Sequence, residues 1–129
     1  MRLLLDTQIA LWWLTANRRL SKASRELVAT SHCELSVGSI WEVAIKHGLG
    51  KLAMPPGTFR DEMLAAGTIV LSLTDAHVLT AAEVTVAHAD PFDRLLLGVA
   101  VAEGLQLLTA DMTLVGLTHR HPQLPIREA

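Results

Sequence analysis

The 129-residue sequence has little cysteine and no long apolar run, and each absence excludes a class of protein. Cys33 is the single cysteine, so an internal disulfide is excluded and a reducing compartment is expected. The first apolar run ends at Asp6, unlike that of a signal peptide, and no run approaches the roughly 20 apolar residues that span a bilayer. We therefore expect a soluble, cytoplasmic protein that does not enter a membrane.

Basic charge is also scarce, because 11 Lys and Arg residues stand against 13 Asp and Glu residues and the net charge is −2. Proteins that coat a phosphate backbone usually carry a basic surface, so this balance argues against that class. It leaves open an enzyme that holds a few nucleotides in a metal-lined cleft. Half of the residues are apolar, and the length suits one core and is too short for two, so we expect one domain over residues 1–129.

Short apolar runs alternate with helical patterns along the whole chain. The predicted strands are 3–5, 34–37, 69–71 and 106–109, with a short edge strand near Ile126. The predicted helices are 8–14, 22–31, 39–46, 59–66, 76–86 and 91–103, and residues 48–57 are predicted to form a loop. This alternation predicts an α/β fold, specifically a three-layer α/β/α sandwich with a mostly parallel central sheet.

Four acidic residues fall where the predicted sheet has its carboxyl edge. Asp6 and Asp111 each follow a strand, and Glu42 and Asp93 are predicted in the first turns of two helices. Ligands of open parallel sheets bind beyond the carboxyl ends of the strands. Carboxylates that converge there repel one another unless a cation lies among them, and Mg²⁺ prefers oxygen ligands. The pattern therefore predicts a magnesium site at this edge.

Each acid also has a structural interpretation. Ser39 and Glu42 have the spacing of a capping box, in which the Glu side chain bonds the backbone of the first capping residue. Asp90 followed by Pro91 is a good helix N-cap, which is the interpretation that we prefer for Asp90. The remaining acids could cap turns or stand near a helix N-terminus. A non-catalytic α/β binding module whose acids are caps is therefore one alternative.

Four segments resemble the acidic motifs of PIN domains, in the order of that family. They are LLLDT at 3–7, SIWEVAIK at 39–46, DPFDRLL at 90–96 and LTAD at 108–111. The VapC-like toxin branch is most similar, because it carries a similar Leu-Trp-Trp after the first Asp and a similar Asp-Pro-Phe-Asp-Arg. The resemblance extends from Arg2 to about Leu114, with Gln8 where that branch often has His. It implies a PIN-like fold and a metal-dependent endoribonuclease that acts as the toxin of a type II toxin–antitoxin pair.

The resemblance also implies roles for individual residues. Asp6, Glu42, Asp93 and Asp111 are the implied catalytic acids. Asp6 and Asp93 are the expected metal ligands, with Glu42, Asp111 and Asp90 as further candidates. Mg²⁺ is the expected cofactor and Mn²⁺ a substitute, since both prefer oxygen ligands. The implied partners are an RNA substrate cut by metal-activated water, a small antitoxin that covers the acidic cleft, and a second copy of the chain in a homodimer.

Basic and aromatic residues near the motifs are candidates for contacts with RNA. Lys46, Lys51 and Arg94 could bind phosphates, although a solvated helix face or an internal ion pair explains them equally well. Stacking on bases is open to three tryptophans: Trp12, Trp13 and Trp41. Their helical spacing beside Leu and Ile favours a core or an interface instead. Trp12 and Trp13 cannot both face one core, so one of them is a candidate for a partner contact.

Other functions stay open at this point. A PIN-type nuclease that acts in RNA processing or on DNA, without an antitoxin, would carry the same four motifs. A phosphotransfer domain of the haloacid-dehalogenase kind would need Asp-x-Asp after the first strand, where this chain has Gln8. The binding module predicts that Asp93→Asn lowers stability rather than an activity.

Overall fold

The computed structural model describes residues 1–84 and 90–129. Its strands are β1 (Arg2–Leu5), β2 (His32–Ser36), β3 (Ile69–Leu71), β4 (Gln106–Thr109) and β5 (Ile126–Glu128). Its helices are α1 (Thr7–Leu14), α2 (Lys22–Thr30), α3 (Val37–Gly48), α4 (Pro56–Ala65), α5 (Asp75–Glu83), α6 (Pro91–Glu103) and α7 (Met112–Arg120). In these two ranges, no helix combines the length and the apolar character needed to cross a membrane.

The strands form one sheet in the order β3-β2-β1-β4-β5, and every neighbouring pair is parallel. The predicted α/β/α fold is confirmed, as is the edge strand near Ile126. β1 lies at the centre, where Leu5 pairs with Leu108 and the backbone N–H of Asp6 donates to the Leu108 carbonyl at 3.0 Å. Because all strands run in one direction, the segments that follow β1, β2 and β4 meet at one edge.

Alternate side chains of β1 enter two separate cores, because successive side chains of a strand point to opposite faces. Leu3 and Leu5 pack in a cluster with residues of α1 to α4, whereas Leu4 packs with residues of α6 and α7. All three leucines are fully buried, and each contributes roughly 1.5–3 kcal/mol by burial. Helices therefore cover both faces of the sheet.

The second core is fixed by close packing of α5 on α6. A Cβ atom at Gly98 would come within 2.6 Å of Ala81, so a larger residue would force the helices apart. His77 is buried at the start of α5, and its Nε2 lies 2.7 Å from Oε1 of Glu103. Gly104 ends α6 in the left-handed region at φ 67°, directly after the last residue of the predicted 91–103 helix. This packing fixes the position of α6, the helix that carries Asp93 near its N-terminus.

The start of α3 corrects one prediction. The helix begins at Val37 rather than Ser39, because the Ser36 hydroxyl accepts a hydrogen bond from the Gly38 N–H at 3.0 Å and is the N-cap. The alternative interpretation of Ser39 and Glu42 as a capping box is therefore wrong, and Glu42 lies in the second turn of the helix instead of the first. The Glu42 carboxylate therefore does not cap the helix.

Two further helices differ from the predictions. α4 begins at Pro56 rather than Phe59, since proline is favoured at the first helical position, and the predicted loop is shorter for that reason. α7 was not predicted; its N-cap is Asp111, which was interpreted as a metal-site acid or as the cap of a turn after a strand. The predicted end of the 76–86 helix lies outside the described residues.

Candidate active site

A cleft of about 500 Å³ lies at the carboxyl edge of the sheet. Its walls contain five acidic residues: Asp6, Glu42, Asp90, Asp93 and Asp111. They come from the end of β1, from α3, from the start of α6 and from the end of β4. The parallel sheet thus brings together all four acids that the sequence analysis selected, and the auxiliary candidate Asp90 with them.

Asp6 has the most unusual environment of these acids. It is 7% exposed, and its Oδ2 accepts a hydrogen bond from the Thr109 hydroxyl at 2.7 Å. Burial raises the pKa of Asp6 from 3.8 to about 6, and the charges of Asp93 and Glu42 add to the rise while the Thr109 bond opposes it. Asp6 therefore lies close to two other negative charges in a poorly solvated position.

The Glu42 carboxylate is held on both sides. The Thr7 hydroxyl donates to Oε1 at 2.7 Å, and the Thr7 oxygen lies 2.9 Å from Oγ of Ser39. Lys46, one helical turn on, donates to Oε2 at 2.8 Å. The pKa of Lys46 is raised, chiefly by this bond and further by the charges of Glu42, Asp90 and Asp6, against the effect of burial. Lys46 thus contributes a positive charge to the wall of the cleft.

Two of the five acids serve as helix N-caps. Asp90 Oδ1 accepts from the N–H groups of Phe92 and Asp93 at 2.9 and 3.3 Å, so the preferred interpretation of Asp90 as a cap is correct. Asp111 accepts from the Thr113 N–H at 2.8 Å and caps α7. Both are exposed, whereas Asp93 is buried in the first turn of α6, where the helix dipole favours a carboxylate.

Two hydroxyls at the site, those of Thr7 and Thr109, were not predicted from the sequence. Thr109 is fully buried, and its oxygen donates to Asp6 and accepts the Asp111 backbone N–H at 3.0 Å. It therefore ties the ends of two neighbouring strands together at the acids. The sequence signals were the position of Thr7 directly after Asp6 and the position of Thr109 two residues before Asp111.

The predicted substrate-binding residues are only partly brought together. Lys46 and Lys51 line the cleft, but the exposed Arg94 does not. Trp12 also lines the cleft, whereas Trp41 is 61% exposed outside it. Trp12 and Trp13 are each half-buried against the core of α1 to α4, so part of each side chain is open to solvent.

The donor set suits a hard divalent cation, because carboxylates supply oxygen ligands. In residues 1–84 and 90–129, no three Asp, Glu, His or Cys side chains form a ready-made coordination shell. Mg²⁺ takes one or two protein carboxylates directly and keeps waters for the rest of its shell, so it does not require three. The clustered charges around the buried Asp6 are of the kind that such an ion would neutralise.

An all-parallel sheet with converging acids at its carboxyl edge is the architecture that the sequence motifs implied. The sequence pattern of the PIN domain matches residues 3–115, a range that contains Asp6, Glu42, Asp93 and Asp111. The chain belongs to the PIN-domain family. It is 31% identical over 125 residues to Ribonuclease VapC22 of Mycobacterium tuberculosis (strain ATCC 25618 / H37Rv), and the match covers 93% of each chain.

Solved structures share the fold. VapBC2 from Rickettsia felis, bound to a DNA fragment from its promoter, matches with a TM-score of 0.70 and 17% identity, over 99% of this chain and 98% of that one. DNA-bound VapBC from Salmonella typhimurium matches with a TM-score of 0.70 and 16% identity, over the same shares of 99% and 98%. A toxin–antitoxin complex from Klebsiella pneumoniae gives 0.59 and 18%, over 85% and 87%. At such identities the likeness shows the fold alone.

Proposed function

We propose that this chain is a divalent-metal-dependent endoribonuclease and the toxin of a toxin–antitoxin pair. The convergence of Asp6, Glu42, Asp93 and Asp111 on one cleft is the observation that carries the proposal. Similarity to Ribonuclease VapC22 along almost the whole chain supports RNA as the substrate. The shared fold with toxin–antitoxin complexes supports a small antitoxin as partner. Residues 1–129 would act as one catalytic domain in the cytoplasm, paired in a homodimer.

Asp6 and Asp93 are the residues proposed to hold Mg²⁺, or Mn²⁺ in its place. Both are buried at the cleft, and the charge of Asp93 contributes to the raised pKa of Asp6. A bound divalent ion would lower the pKa of a water molecule and stabilise charge on the phosphate. With a pKa of about 6, Asp6 is mostly ionised at neutral pH even before an ion arrives.

The other cleft residues have distinct proposed tasks. Glu42 is fixed by Thr7 and Lys46, so its carboxylate is in a defined position to orient the attacking water. Asp111 would complete the negative site or help to hold a second ion. Lys46 and Lys51 would contact the phosphates that flank the scissile bond, since basic side chains position a strand without reading its bases.

The antitoxin is proposed to inhibit by covering the cleft. Five carboxylates line that cleft, so a segment that occupies it must bring balancing positive charge. The exclusion of RNA would follow directly, because both ligands would use the same walls.

The proposal is tested by incubating the purified, partner-free protein with total cellular RNA in Mg²⁺, Mn²⁺ or EDTA. We expect discrete cuts that need the metal and leave 5′-phosphate and 3′-hydroxyl ends. Asp93→Asn should slow cleavage by at least about 100-fold, the size seen when one preorganised charge-stabilising group is lost. Asp75→Asn is the matched control, because Asp75 is also an acid in the first turn of a helix, on α5 and outside the cleft.

Two results would contradict the proposal. One is cleavage that persists in EDTA or in Asp93→Asn. The other is an absence of RNA cleavage in any metal by a folded protein. If that protein then cuts DNA supplied in the same buffers, a different PIN-type nuclease is favoured.

A further inference from the structure

A second cavity, of about 530 Å³, adjoins the acidic cleft. Four residues line both spaces: Gln8, Leu11, Trp12 and Leu52. The rest of its wall comes from the segment after α1, from the segment that leads into α4 and from the start of α4. Because they share wall residues, the two spaces form adjoining parts of one groove.

The two parts of the groove differ in chemistry. The acidic cleft contains five carboxylates, whereas no acid stands among the described residues that line the second cavity. Its wall is largely apolar, with Trp12, Met54 and Pro55 as members, and Arg19 is the charged group among its lining residues. Gln8 and Asn17 add amide groups that can hydrogen-bond to a polar edge.

We propose that this cavity, named here the base pocket, holds one unstacked base of a single-stranded RNA next to the scissile phosphate. The inference rests on the proposed ribonuclease function and adds the place where the base beside the scissile phosphate is held. Proteins read such RNA by splaying bases onto aromatic side chains, and every base offers a face for stacking. Trp12 is the aromatic residue that lines both parts of the groove.

A nucleotide matches both parts of the groove at once. Its phosphate needs the metal and lysine side of the groove, and its flat base needs an apolar, acid-free wall with a few hydrogen-bonding groups. Lys46 and Lys51 lie in the cleft and Arg19 lies in the base pocket, so a cation is present on either side of Trp12. The volume lies within the roughly 300–1,000 Å³ of ordinary ligand sites.

The test uses a short RNA that spans a cut site mapped in the total-RNA digest. Abasic nucleotides are introduced one at a time along it, and kcat/KM is measured for each RNA. We expect one abasic position beside the scissile phosphate to lower kcat/KM by about 5- to 150-fold, the equivalent of one lost stacking contact. Abasic positions further away should have little effect.

Variants of the base pocket then test whether the loss of kcat/KM on the abasic RNA comes from a contact in this pocket. Ala53→Trp would fill the base pocket, and Ala53 is exposed, so no core contact is removed. This variant should cut the intact RNA as poorly as the wild type cuts the abasic RNA, with no further loss on the abasic RNA. Trp12→Ala should behave alike and Trp12→Phe should restore most of the activity. Trp41→Ala, which removes an exposed tryptophan outside both spaces, should match the wild type.

Thermal denaturation of each variant separates lost binding from lost folding, because Trp12 also packs against the core. The inference is overturned if the abasic scan is flat for the wild type while RNA is still cut, which leaves the ribonuclease proposal intact. It is also overturned if folded Ala53→Trp cuts intact RNA at the wild-type rate, since a filled pocket would then make no difference to the RNA. Absence of any RNA cleavage overturns both proposals.

Discussion

Two buried carboxylates near the central strand have opposite surroundings. Glu34, in the middle of β2, lies 2.9 Å from Nε2 of His32 and 3.4 Å from Nη2 of Arg2. Asp6, at the end of β1, makes no salt bridge within residues 1–84 and 90–129 and instead faces the charges of two other acids. The fold therefore pairs the Glu34 carboxylate with a basic side chain, whereas the described residues give the Asp6 carboxylate no such partner.

The surroundings of Asp6 can be expressed as a free energy. Raising its pKa from 3.8 to about 6 means that folding destabilises the ionised form, relative to the protonated form, by about 3 kcal/mol. A strongly perturbed group in a cleft is a candidate for function. The destabilisation of the ionised Asp6 side chain is explained if a bound ion neutralises the acids when the protein is active.

The largest expected effect on stability comes from Asp6→Asn. In metal-free protein at pH 7.5, this change should raise the free energy of unfolding by up to about 3 kcal/mol, because it removes the poorly solvated charge. Chemical denaturation in EDTA measures the difference. An equal or lower stability of the variant would mean that Asp6 is not strained and that the contrast with Glu34 is wrong.

The pH dependence sharpens the same point. The folded-state pKa of Asp6 is raised, so the contribution is fully present below pH 3.8 and is lost as pH rises through about 6. Between those values the unfolded chain has released the proton and the folded protein still binds it. Relative to Asp6→Asn, metal-free wild type should therefore lose stability from about pH 4 to about pH 6 and then level off. Parallel stability curves for the two proteins would contradict this account.

Glu34→Gln should give a smaller effect of the opposite sign. It removes the charge that pairs with Arg2 and the oxygen that lies beside His32, and both partners are about half exposed, so we expect a loss of about 1 kcal/mol. RNA cleavage should stay at the wild-type rate, because Glu34 is outside the cleft. The same denaturation and cleavage assays apply, and a large loss of cleavage in a folded variant would remove the functional distinction between the two carboxylates.

The sheet and the gathering of the acids could be predicted because their causes are local. Apolar runs that alternate with helical patterns require parallel strands, and acids placed after strands must then meet at one edge. α7 was missed because its N-cap, Asp111, was interpreted as a site acid or a turn cap rather than as the start of a helix. The helix start at Ser36 was missed because two serines lie three residues apart and either could cap.

Other parts of the site depend on contacts that no local pattern records. Thr109 and Asp6 are 103 positions apart, and their hydrogen bond exists only because β1 and β4 are neighbours in register. Trp12 was recognised as a residue that could stack on a base, but the apolar cavity beside it appears only when the segment before α4 is folded against α1. Local pattern therefore predicts the acids better than the groups that hold and surround them.

The most direct measurement of the central claim is a calorimetric titration of Mg²⁺ and Mn²⁺ into the wild type, Asp93→Asn and Asp75→Asn. The account predicts that the wild type and Asp75→Asn bind the metal alike, while Asp93→Asn binds at least about 10-fold more weakly and keeps its fold by circular dichroism. Equal binding by all three proteins, or no binding by any of them, would contradict the claim that the buried acids of the cleft form a metal site.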